Sequence, residues 1–274
     1  MIIGAEPYGY YSRPGLAYYL AGEVPEERLF PFRPEDFARL DVQLIPKRAT
    51  GIDPAGHRVT LEDGRILLYD RLLLATGARA IPVEVPGAEL EGVVKLDDLE
   101  DARGLIRRSR HAKAAVVVGG GITALEIVEG LRARRVHVHY FMRRDRYWSN
   151  VLSEEESRLV ERGLESRGIQ IHYFTELARI IGRQGHVTGL ETEKGEEIPA
   201  DVVAVAIGVL PQKELAEAAG LRCRRGGWWT NICAPPTRTS SRPATWPKCV
   251  TRSPIGTLLR PSGVRPRPKD GWPD

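Results

Sequence analysis

The feature that constrains this chain most lies in residues 113–146, which read KAAVVVGGGITALEIVEGLRARRVHVHYFMRRDR. Four consecutive apolar residues, Ala115–Val118, predict a buried strand, and the apolar spacing that begins at Ile122 predicts an amphipathic helix. The segment VHVHYF predicts a second buried strand. A strand, a glycine-rich turn, a helix and a strand form a βαβ unit, which builds a parallel sheet covered by helices. The sequence therefore predicts an α/β fold.

The turn in this unit, GGGITALE over residues 119–126, fits the dinucleotide-binding pattern G-x-G-x-x-[G/A]-x-E. Gly119 permits a tight turn, Gly121 lets the backbone approach a pyrophosphate, and Ala124 is small enough for the helix to pack on the strand. The free N–H groups and partial positive charge of the helix N-terminus attract phosphates. A glycine turn between an unrelated strand and helix is the alternative, and the complete βαβ context favours nucleotide binding.

The end of the second strand indicates which nucleotide binds. An acid that holds the ribose 2′-hydroxyl is usual about 20 residues after the turn, but here Met142 is followed by Arg143 and Arg144. An acid would repel a 2′-phosphate, whereas paired guanidinium groups would bind it. The pattern favours NADPH over NADH. The alternative is that the two arginines form a solvated strand end and that the cofactor is NADH.

His137 and His139 lie two positions apart and therefore share one face of the second strand. Histidines are common metal ligands, but a metal site needs three or four ligands, and no third ligand is near this pair in sequence. We therefore predict that both are ordinary strand residues and that the chain has no metal site of this kind.

The segments around this unit are predicted from periodicity and turn signals. Residues 58–70 alternate about Asp63-Gly64 as a hairpin, and the apolar run Arg71–Ala75 is predicted to be a buried strand. Ser153 and Glu156 form a capping-box pattern that opens a helix. The remaining predictions are a strand over Met1–Ala5, a helix within 96–112, a meander over 185–211 that ends in the buried strand Val202–Ile207, and a short helix after it.

Composition and cysteine usage narrow the class of protein. Hydrophobic residues make up 42% of the 274 residues and charged residues 28%, as in ordinary globular proteins. No apolar run approaches the ~20 residues of a membrane span, and the N-terminus has no signal-peptide pattern. The three cysteines, Cys223, Cys233 and Cys249, form no CxxC pair. We therefore expect a cytoplasmic protein without a membrane span, a disulfide framework, a thiol redox pair or a zinc site.

Residues 223–274 differ from the rest of the chain. They hold ten lysines and arginines against two acids, together with nine of the 20 prolines and four of the five tryptophans. A basic tail can serve as a nucleic-acid or membrane arm. This one has no apolar periodicity and cannot bury much surface, so we expect it to be disordered and expect no nucleic-acid partner.

Four stretches, EPYGYYSRPGLAYYLAGE, YDRLLLATGARA, VVVGGGITALE and AIGVLP, resemble the FAD-dependent pyridine nucleotide-disulphide oxidoreductase family over about residues 1–222. The resemblance implies a two-dinucleotide-binding-domain flavoprotein. In such proteins a NAD(P)H-binding domain, a three-layer ββα sandwich, is inserted into the FAD domain. The expected division is an incomplete FAD domain over 1–107, the NAD(P)H domain over 108–222 and the atypical tail over 223–274.

The resemblance places four residues beside FAD. Glu6 corresponds to the acid that holds the FAD ribose, at the end of the strand Met1–Ala5. Arg13 and Pro14 correspond to an Arg-Pro pair beside the flavin or its phosphates. Ala49 corresponds to a residue whose backbone meets the adenine.

Four more residues are placed by the same resemblance around the junction of the two domains. Thr76 and Gly77 belong to the ATG turn between the domains. Glu126 lies where the family helix faces the flavin–nicotinamide junction, and Gly208 lies in the loop after the last strand of the nucleotide domain.

The implied activity is that of an FAD-dependent NAD(P)H oxidoreductase. Some members carry a redox cysteine where Pro14 stands, and its absence here favours the branch that resembles reductases for nitrite, ferredoxin or rubredoxin. In that branch hydride passes from nicotinamide to flavin N5, and electrons pass on to a separate acceptor, here an unknown redox protein or domain. Protein groups position the cofactors, so no catalytic acid or base is assigned. A homodimer is compatible with the resemblance, and the alternative is a non-catalytic fragment that retains only a pyridine-nucleotide-binding module.

Two departures from the family pattern bear on FAD binding. The family's own FAD turn, a G-x-G-x-x-G, is expected just before the strand at Met1 and is absent. The Gly-Asp segment that holds the FAD ribityl–phosphate region is also absent after residue 222. Read one base earlier, the codons of Trp228-Trp229-Thr230 give Val-Asp, and that frame permits a family-like run containing Phe-Ala-Ala-Gly-Asp. We therefore hypothesise that residues from about Gly227 onward are an out-of-frame translation.

Overall fold

The computed structural model of the protein describes residues 1–221 and Cys223. The predictions of a disordered tail and of a reading-frame shift from about Gly227 fall on residues outside this part. Among the described residues, no helix combines the length and the apolar character that crossing a membrane requires.

The described chain contains both strands and helices, which alternate between α3 and β10. The strands are β1 (Ile2–Gly4), β2 (Leu44–Pro46), β3 (Ala49–Asp53), β4 (Arg58–Leu61), β5 (Ile66–Leu68), β6 (Ala78–Ala80), β7 (Val93–Val94), β8 (Ala114–Val118), β9 (His137–Met142), β10 (Gln170–Tyr173), β11 (Leu177–Arg183), β12 (His186–Thr192), β13 (Glu197–Pro199), β14 (Val202–Val205) and β15 (Val209–Pro211). The helices are α1 (Gly15–Ala21), α2 (Pro34–Arg39), α3 (Leu99–Ser109), α4 (Ile122–Ala133), α5 (Glu154–Ser166) and α6 (Glu214–Ala218), and Glu26–Leu29 forms a 3₁₀ helix.

A five-stranded parallel sheet in the order β10-β9-β8-β14-β7 forms the centre of the fold. The run that predicted a buried strand is β8, and its residues Val116 and Val117 are fully buried. The second predicted strand is β9, which runs parallel to β8 with His137 opposite Ala114. The βαβ unit and the α/β fold class are therefore confirmed.

The two faces of this sheet pack against different layers. On one face Val117 packs in a core with helical residues that include Ile127. On the other face Val116 packs with Leu190 of the antiparallel sheet β11-β12-β13. Successive strand residues point to opposite faces, so a continuous apolar run in β8 supplies both cores. Helices, a parallel sheet and an antiparallel sheet together form the three-layer ββα sandwich that the family resemblance implied.

The structure confirms two predictions made from short sequence patterns, a helix start and a hairpin turn. Ser153 Oγ accepts a hydrogen bond from the Glu156 N–H at 3.3 Å, and the Glu156 carboxylate accepts one from the Ser153 N–H at 2.8 Å. This is the predicted capping box at the start of α5. The hairpin about Asp63-Gly64 also forms, as β4 and β5, with Gly64 at a φ of +83°.

The predicted buried strand at Arg71–Ala75 is wrong. This segment has no strand structure, and Leu73 is 71% exposed. A strand needs a neighbour to receive its backbone hydrogen bonds. Among the described strands, β1 pairs with β2 and β5 pairs with β4, and neither pairs with this run. The run therefore forms no strand within the described residues, and its partly buried Leu72 packs against the small core of β2 and β4.

Helix α1 connects the N-terminal part of the chain to the parallel-sheet part by packing on α4. Gly130 makes this close approach possible, because a Cβ atom there would overlap the side chain of Leu20. Arg134 Nε donates a hydrogen bond to the Leu20 carbonyl oxygen at 2.6 Å, which satisfies one of the free carbonyl groups at the end of α1. Leu20 is fully buried and belongs to the same core as β8.

A charged network provides a second connection between these parts. Arg103 of α3 pairs with Glu26 of the 3₁₀ helix through two nitrogens, and its Nε lies 3.0 Å from the Glu26 carboxylate. The Tyr19 hydroxyl donates to the same carboxylate at 2.6 Å. The two donors to Glu26 hold its pKa below the ordinary value, because they stabilise the charged form.

Two histidines from neighbouring strands form a contact at the edge of the sheet. His139 Nδ1 lies 3.0 Å from His172 Nε2, and the ring of His137 lies 5.0 Å from that of His139. Burial, together with the neighbouring imidazoles of His172 and His137, lowers the pKa of His139 to about 4, although Glu196 opposes this shift. Burial also lowers the pKa of His172. Among the described residues, no group of three or more His, Cys, Asp or Glu side chains is arranged to hold a metal ion.

This contact predicts a loss of stability in acid. The pKa of unfolded histidine is about 6.5, so between pH ~6.5 and ~4 the unfolded chain binds more protons than the folded one, and stability falls as the pH falls through this window. The expected result is that His139→Gln reduces the difference in urea unfolding free energy between pH 7.5 and pH 5. His111→Gln, at an exposed position, is the control and should leave that difference unchanged. An equal pH effect in wild type and His139→Gln would contradict the prediction.

Candidate functional site

The candidate site lies where β8 and β14 end, in the middle of the parallel sheet. Strands β9 and β10 lie on one side of this pair and β7 lies on the other. Open α/β sheets bind ligands in the crevice at such a switch point, at the carboxyl ends of the strands. Gly119 follows β8 and Ala206 follows β14, and the Ala206 N–H donates to the Val118 carbonyl oxygen at 2.8 Å.

Gly119 can only be glycine in this backbone conformation. Its φ is +148°, which side chains rarely adopt. A Cβ atom there would overlap the carbonyl oxygen of Ala206 and lie 3.2 Å from the Cβ of Ala124. Ala124 is fully buried at the first turn of α4. Gly119 and Ala124 therefore let the helix begin directly against the ends of the two central strands.

The start of α4 presents unpaired donors to open space. Gly121 is its N-cap residue and contributes no side-chain acceptor. The backbone bonds of the described residues include none from the N–H groups of Ile122, Thr123 or Ala124, and the first helical bond runs from Leu125 to Gly121 at 3.2 Å. No atom of the described residues lies within 4 Å of where a Cβ of Gly121 would stand. An anion can therefore reach the helix N-terminus without steric hindrance.

An arginine-rich loop follows β9 beside this turn. Arg143 and Arg144 are both exposed. Arg144 donates to Ser149 Oγ at 3.4 Å, and Arg146 pairs with Asp145 at 3.0 Å. The loop is attached to the glycine turn by the Trp148 N–H, which donates to the Gly120 carbonyl oxygen at 3.1 Å. The loop thus holds two guanidinium groups without a carboxylate partner among the described side chains.

Glu126 lies one turn into α4, partly buried. Burial raises the pKa of its carboxyl group, and the nearby carboxylate of Glu129 raises it further. Both effects disfavour the charged form. Glu126 therefore gains protons more readily than a solvated glutamate.

Strands β6 and β15 form a two-stranded antiparallel ribbon, with Thr76 and Gly77 at one end and Gly208 at the other. Thr76 Oγ1 donates to the Gln212 carbonyl oxygen, and the Gln212 N–H donates to the Gly77 carbonyl oxygen at 2.9 Å. Gly208 has a φ of +124°, and its carbonyl oxygen accepts from the Ile81 N–H at 3.0 Å. The ribbon thus connects the segment that follows β14 to the segment that precedes β7.

Glu6 and Arg13 form a second group near the N-terminus. They form an ion pair, and the Tyr11 hydroxyl donates to the other Glu6 oxygen at 2.6 Å. Arg13 also donates to the Asp97 carbonyl oxygen. Pro14 is the exposed N-cap residue of α1. The carboxylate and guanidinium groups are thus oriented by protein contacts and still reach solvent.

The predicted residues fall into three groups. The glycine turn and the arginines lie together at the ends of β8 and β9, the Thr76–Gly208 ribbon continues from β14, and Glu6 lies with Arg13. Ala49 begins β3 and pairs with Leu61, apart from these groups.

Sequence reasoning missed three residues that shape the site. They are Ala206, Trp148 and Asp97, and each acts through its backbone on a residue distant in sequence. Because a backbone contact of this kind depends on the folded arrangement and not on side-chain type, it leaves no local signal.

Comparison with known families identifies the fold. The sequence profile of the pyridine nucleotide-disulphide oxidoreductase family matches residues 1–234. The chain belongs to this family. That assignment confirms the resemblance drawn from the glycine turn and the three other quoted stretches.

Named relatives of this family member are reductases of redox proteins. A biphenyl dioxygenase system ferredoxin–NAD(+) reductase component from Paraburkholderia xenovorans is 37% identical over 227 residues, which are 82% of this chain and 55% of that protein. A rubredoxin–NAD(+) reductase from Ectopseudomonas oleovorans is 34% identical over 228 residues, which are 82% of this chain and 59% of that protein. The chain thus spans a little more than half the length of these relatives.

Solved structures of the family share the same architecture. A ferredoxin reductase from Rhodopseudomonas palustris superposes with a TM-score of 0.78 at 32% identity, over 81% of this chain and 55% of that one. A covalent complex of putidaredoxin reductase with putidaredoxin gives a TM-score of 0.77 at 31% identity, with the same coverage.

The glycine turn predicts a contrast between two substitutions. Gly119→Ala should lower the urea unfolding free energy by at least ~2 kcal/mol, because the added Cβ overlaps the Ala206 carbonyl and the backbone is in a strained region. Gly120→Ala should change it by less than about 1 kcal/mol, since no atom in the described part of the chain lies within 4 Å of its Cβ position. Circular dichroism during urea titration measures both. Equal effects would show that the close approach at Gly119 is not a constraint.

Proposed function

We propose that the chain is the nicotinamide-nucleotide-binding part, together with a portion of the FAD-binding part, of an FAD-dependent NAD(P)H oxidoreductase. The observation that carries this proposal is the open N-terminus of α4. The first N–H groups of this helix have no acceptor among the described residues, and the N-cap residue Gly121 has no side chain to cover them. A dinucleotide pyrophosphate carries the charge and oxygen acceptors that this arrangement lacks. We take residues 108–222 as the NAD(P)H domain and 1–107 as part of the FAD domain.

The arginine loop favours NADPH as the nucleotide. Arg143 and Arg144 follow β9, the strand whose end usually carries the acid that holds a ribose 2′-hydroxyl. Two exposed guanidinium groups supply charge-assisted hydrogen bonds to a 2′-phosphate. NADH remains the alternative, since the relatives from Paraburkholderia and Ectopseudomonas are named NAD(+) reductases.

Glu6 and Arg13 have the hydrogen-bonding groups that binding of FAD would need. Each carboxylate oxygen of Glu6 has one protein donor, which leaves acceptor capacity for ribose hydroxyls. Arg13, at the start of α1, would contact the flavin or its phosphates, Ala49 the adenine, and Thr76 and Gly77 the interdomain turn. Bound flavin would accept hydride from nicotinamide and pass electrons on singly. Glu126 would face the flavin–nicotinamide junction, Gly208 would lie in the loop after the last strand of the nucleotide domain, and Ala124 would let α4 pack on the strand.

A small redox protein is the proposed electron acceptor. Relatives are named reductases of ferredoxin and rubredoxin, and a solved family structure is a covalent complex with putidaredoxin.

We further propose a cytoplasmic location, because the cysteine pattern suits a reducing compartment. A homodimer is proposed as the assembly, and sedimentation velocity on the purified chain measures it.

The choice of nucleotide is tested by calorimetric titration. Arg143→Ala and Arg144→Ala should each weaken NADPH binding about 10- to 100-fold, because a hydrogen bond to a charged group contributes roughly 1.5–3 kcal/mol. Binding of NADH should change much less, since it lacks the 2′-phosphate. Arg183→Ala, at the exposed end of β11, is the matched control. Equal losses for both nucleotides would contradict the assignment of these arginines to the 2′-phosphate.

The presence of flavin is tested by colour. The purified chain should show the visible absorbance of a bound flavin, and reduced nicotinamide should bleach it anaerobically. Glu6→Gln should lower flavin occupancy relative to Glu62→Gln, since Glu62 lies in the β4–β5 hairpin turn. A colourless chain that still binds NADPH would show that it acts only as a pyridine-nucleotide-binding module.

A further inference from the structure

Phe174 lies at the same edge of the sheet as the arginine loop. It directly follows β10, which runs parallel to β9 with Tyr173 opposite Met142. The Phe174 N–H donates to the Arg144 carbonyl oxygen at 3.4 Å, and the next N–H, from Thr175, donates to the Met142 carbonyl oxygen at 3.1 Å. These two bonds fix the loop after β10 against the loop that carries the arginines.

Phe174 has an unusual backbone conformation. Its φ is +50°, in the left-handed region that bulky residues rarely occupy. The residue is nevertheless 61% exposed, so burial of the ring does not account for the conformation. Thr175 Oγ1 donates to the Tyr173 carbonyl oxygen at 2.9 Å and helps to hold the turn. Backbone strain that the surroundings enforce is concentrated at ligand-binding sites.

The chemistry of the nucleotide explains an aromatic ring at this place. In the function proposed above, Arg143 and Arg144 hold the 2′-phosphate of the adenosine ribose, and the adenine is attached to that same ribose. The base must therefore lie within a few ångströms of this loop. Adenine presents a flat π face that stacks on aromatic rings and on guanidinium planes. Phe174 supplies an exposed ring bonded through its backbone to Arg144.

We propose that Phe174 is the platform on which the adenine of the bound dinucleotide stacks, and that it sets adenine-side affinity independently of the 2′-phosphate. This inference rests on the proposed nucleotide site. It differs from the arginine contacts in one measurable respect. Stacking on the base stabilises NADPH and NADH equally, whereas a contact to the 2′-phosphate distinguishes between them.

Three variants of the full chain test the platform by calorimetric titration. Phe174→Asn removes the ring and keeps a residue that tolerates positive φ. It should weaken NADPH, NADH and ADP-ribose by the same factor, on the order of tenfold, as expected from the loss of one stacked base. Phe174→Tyr keeps the ring and should bind as wild type does. Leu159→Asn, which removes another exposed apolar side chain at 65% exposure on α5, is the control and should also bind as wild type does.

The outcomes separate this inference from the proposed function. If wild type and Phe174→Asn bind NADPH equally, the platform is refuted and the nucleotide site stands. If Phe174→Tyr loses as much affinity as Phe174→Asn, or if Leu159→Asn loses as much, the effect is not stacking and the inference is wrong. If wild type binds none of the three nucleotides, both proposals fail. Circular dichroism on each variant confirms that the compared chains are equally folded.

Discussion

The close contact between Gly119 and the carbonyl of Ala206 is the constraint on which the rest of the site depends. It brings the ends of β8 and β14 together at the middle of the sheet and makes the chain turn sharply into α4. Ala124, fully buried one turn later, lets the helix pack at that short distance. The N–H groups at the start of α4 consequently face the crevice instead of a neighbouring side chain. A larger residue at either position would displace the helix and with it the donors.

Apolar burial stabilises the sandwich, whereas the N-terminal part depends on both apolar and polar contacts. The apolar run of β8 serves the helical core through Val117 and the antiparallel core through Val116, so one segment stabilises both layers. The N-terminal part makes fewer buried contacts with the sandwich. It relies on Leu20 entering the helical core and on the partly exposed pair Arg103–Glu26, and exposed ion pairs contribute little to stability. Stability is therefore expected to be greater in the sandwich than in residues preceding β7.

The sequence predicted the features that depend on near neighbours. The βαβ unit follows from apolar runs, the capping box at Ser153 from residues three positions apart, and the glycine turn from a short pattern. What it did not reveal depends on partners distant in the chain. The apolar run at Arg71–Ala75 was interpreted as a strand, but a strand exists only if another strand lies beside it. The His139–His172 contact and the position of Phe174 beside Arg144 likewise arise from the parallel pairing of β9 with β10, which no local pattern encodes.

The glycine at position 130 has a geometric consequence for the proposed chemistry. Because main chain, and not a side chain, meets Leu20 there, α1 is braced closely against α4 at this point. One end of this brace is the dinucleotide turn at Gly121, and the other is Arg13 at the head of α1. Gly121 is the N-cap residue of α4, and Arg13 immediately precedes Pro14, the N-cap residue of α1. In the proposed function, the packing of α1 on α4 would therefore help to set the distance between the flavin and the nicotinamide.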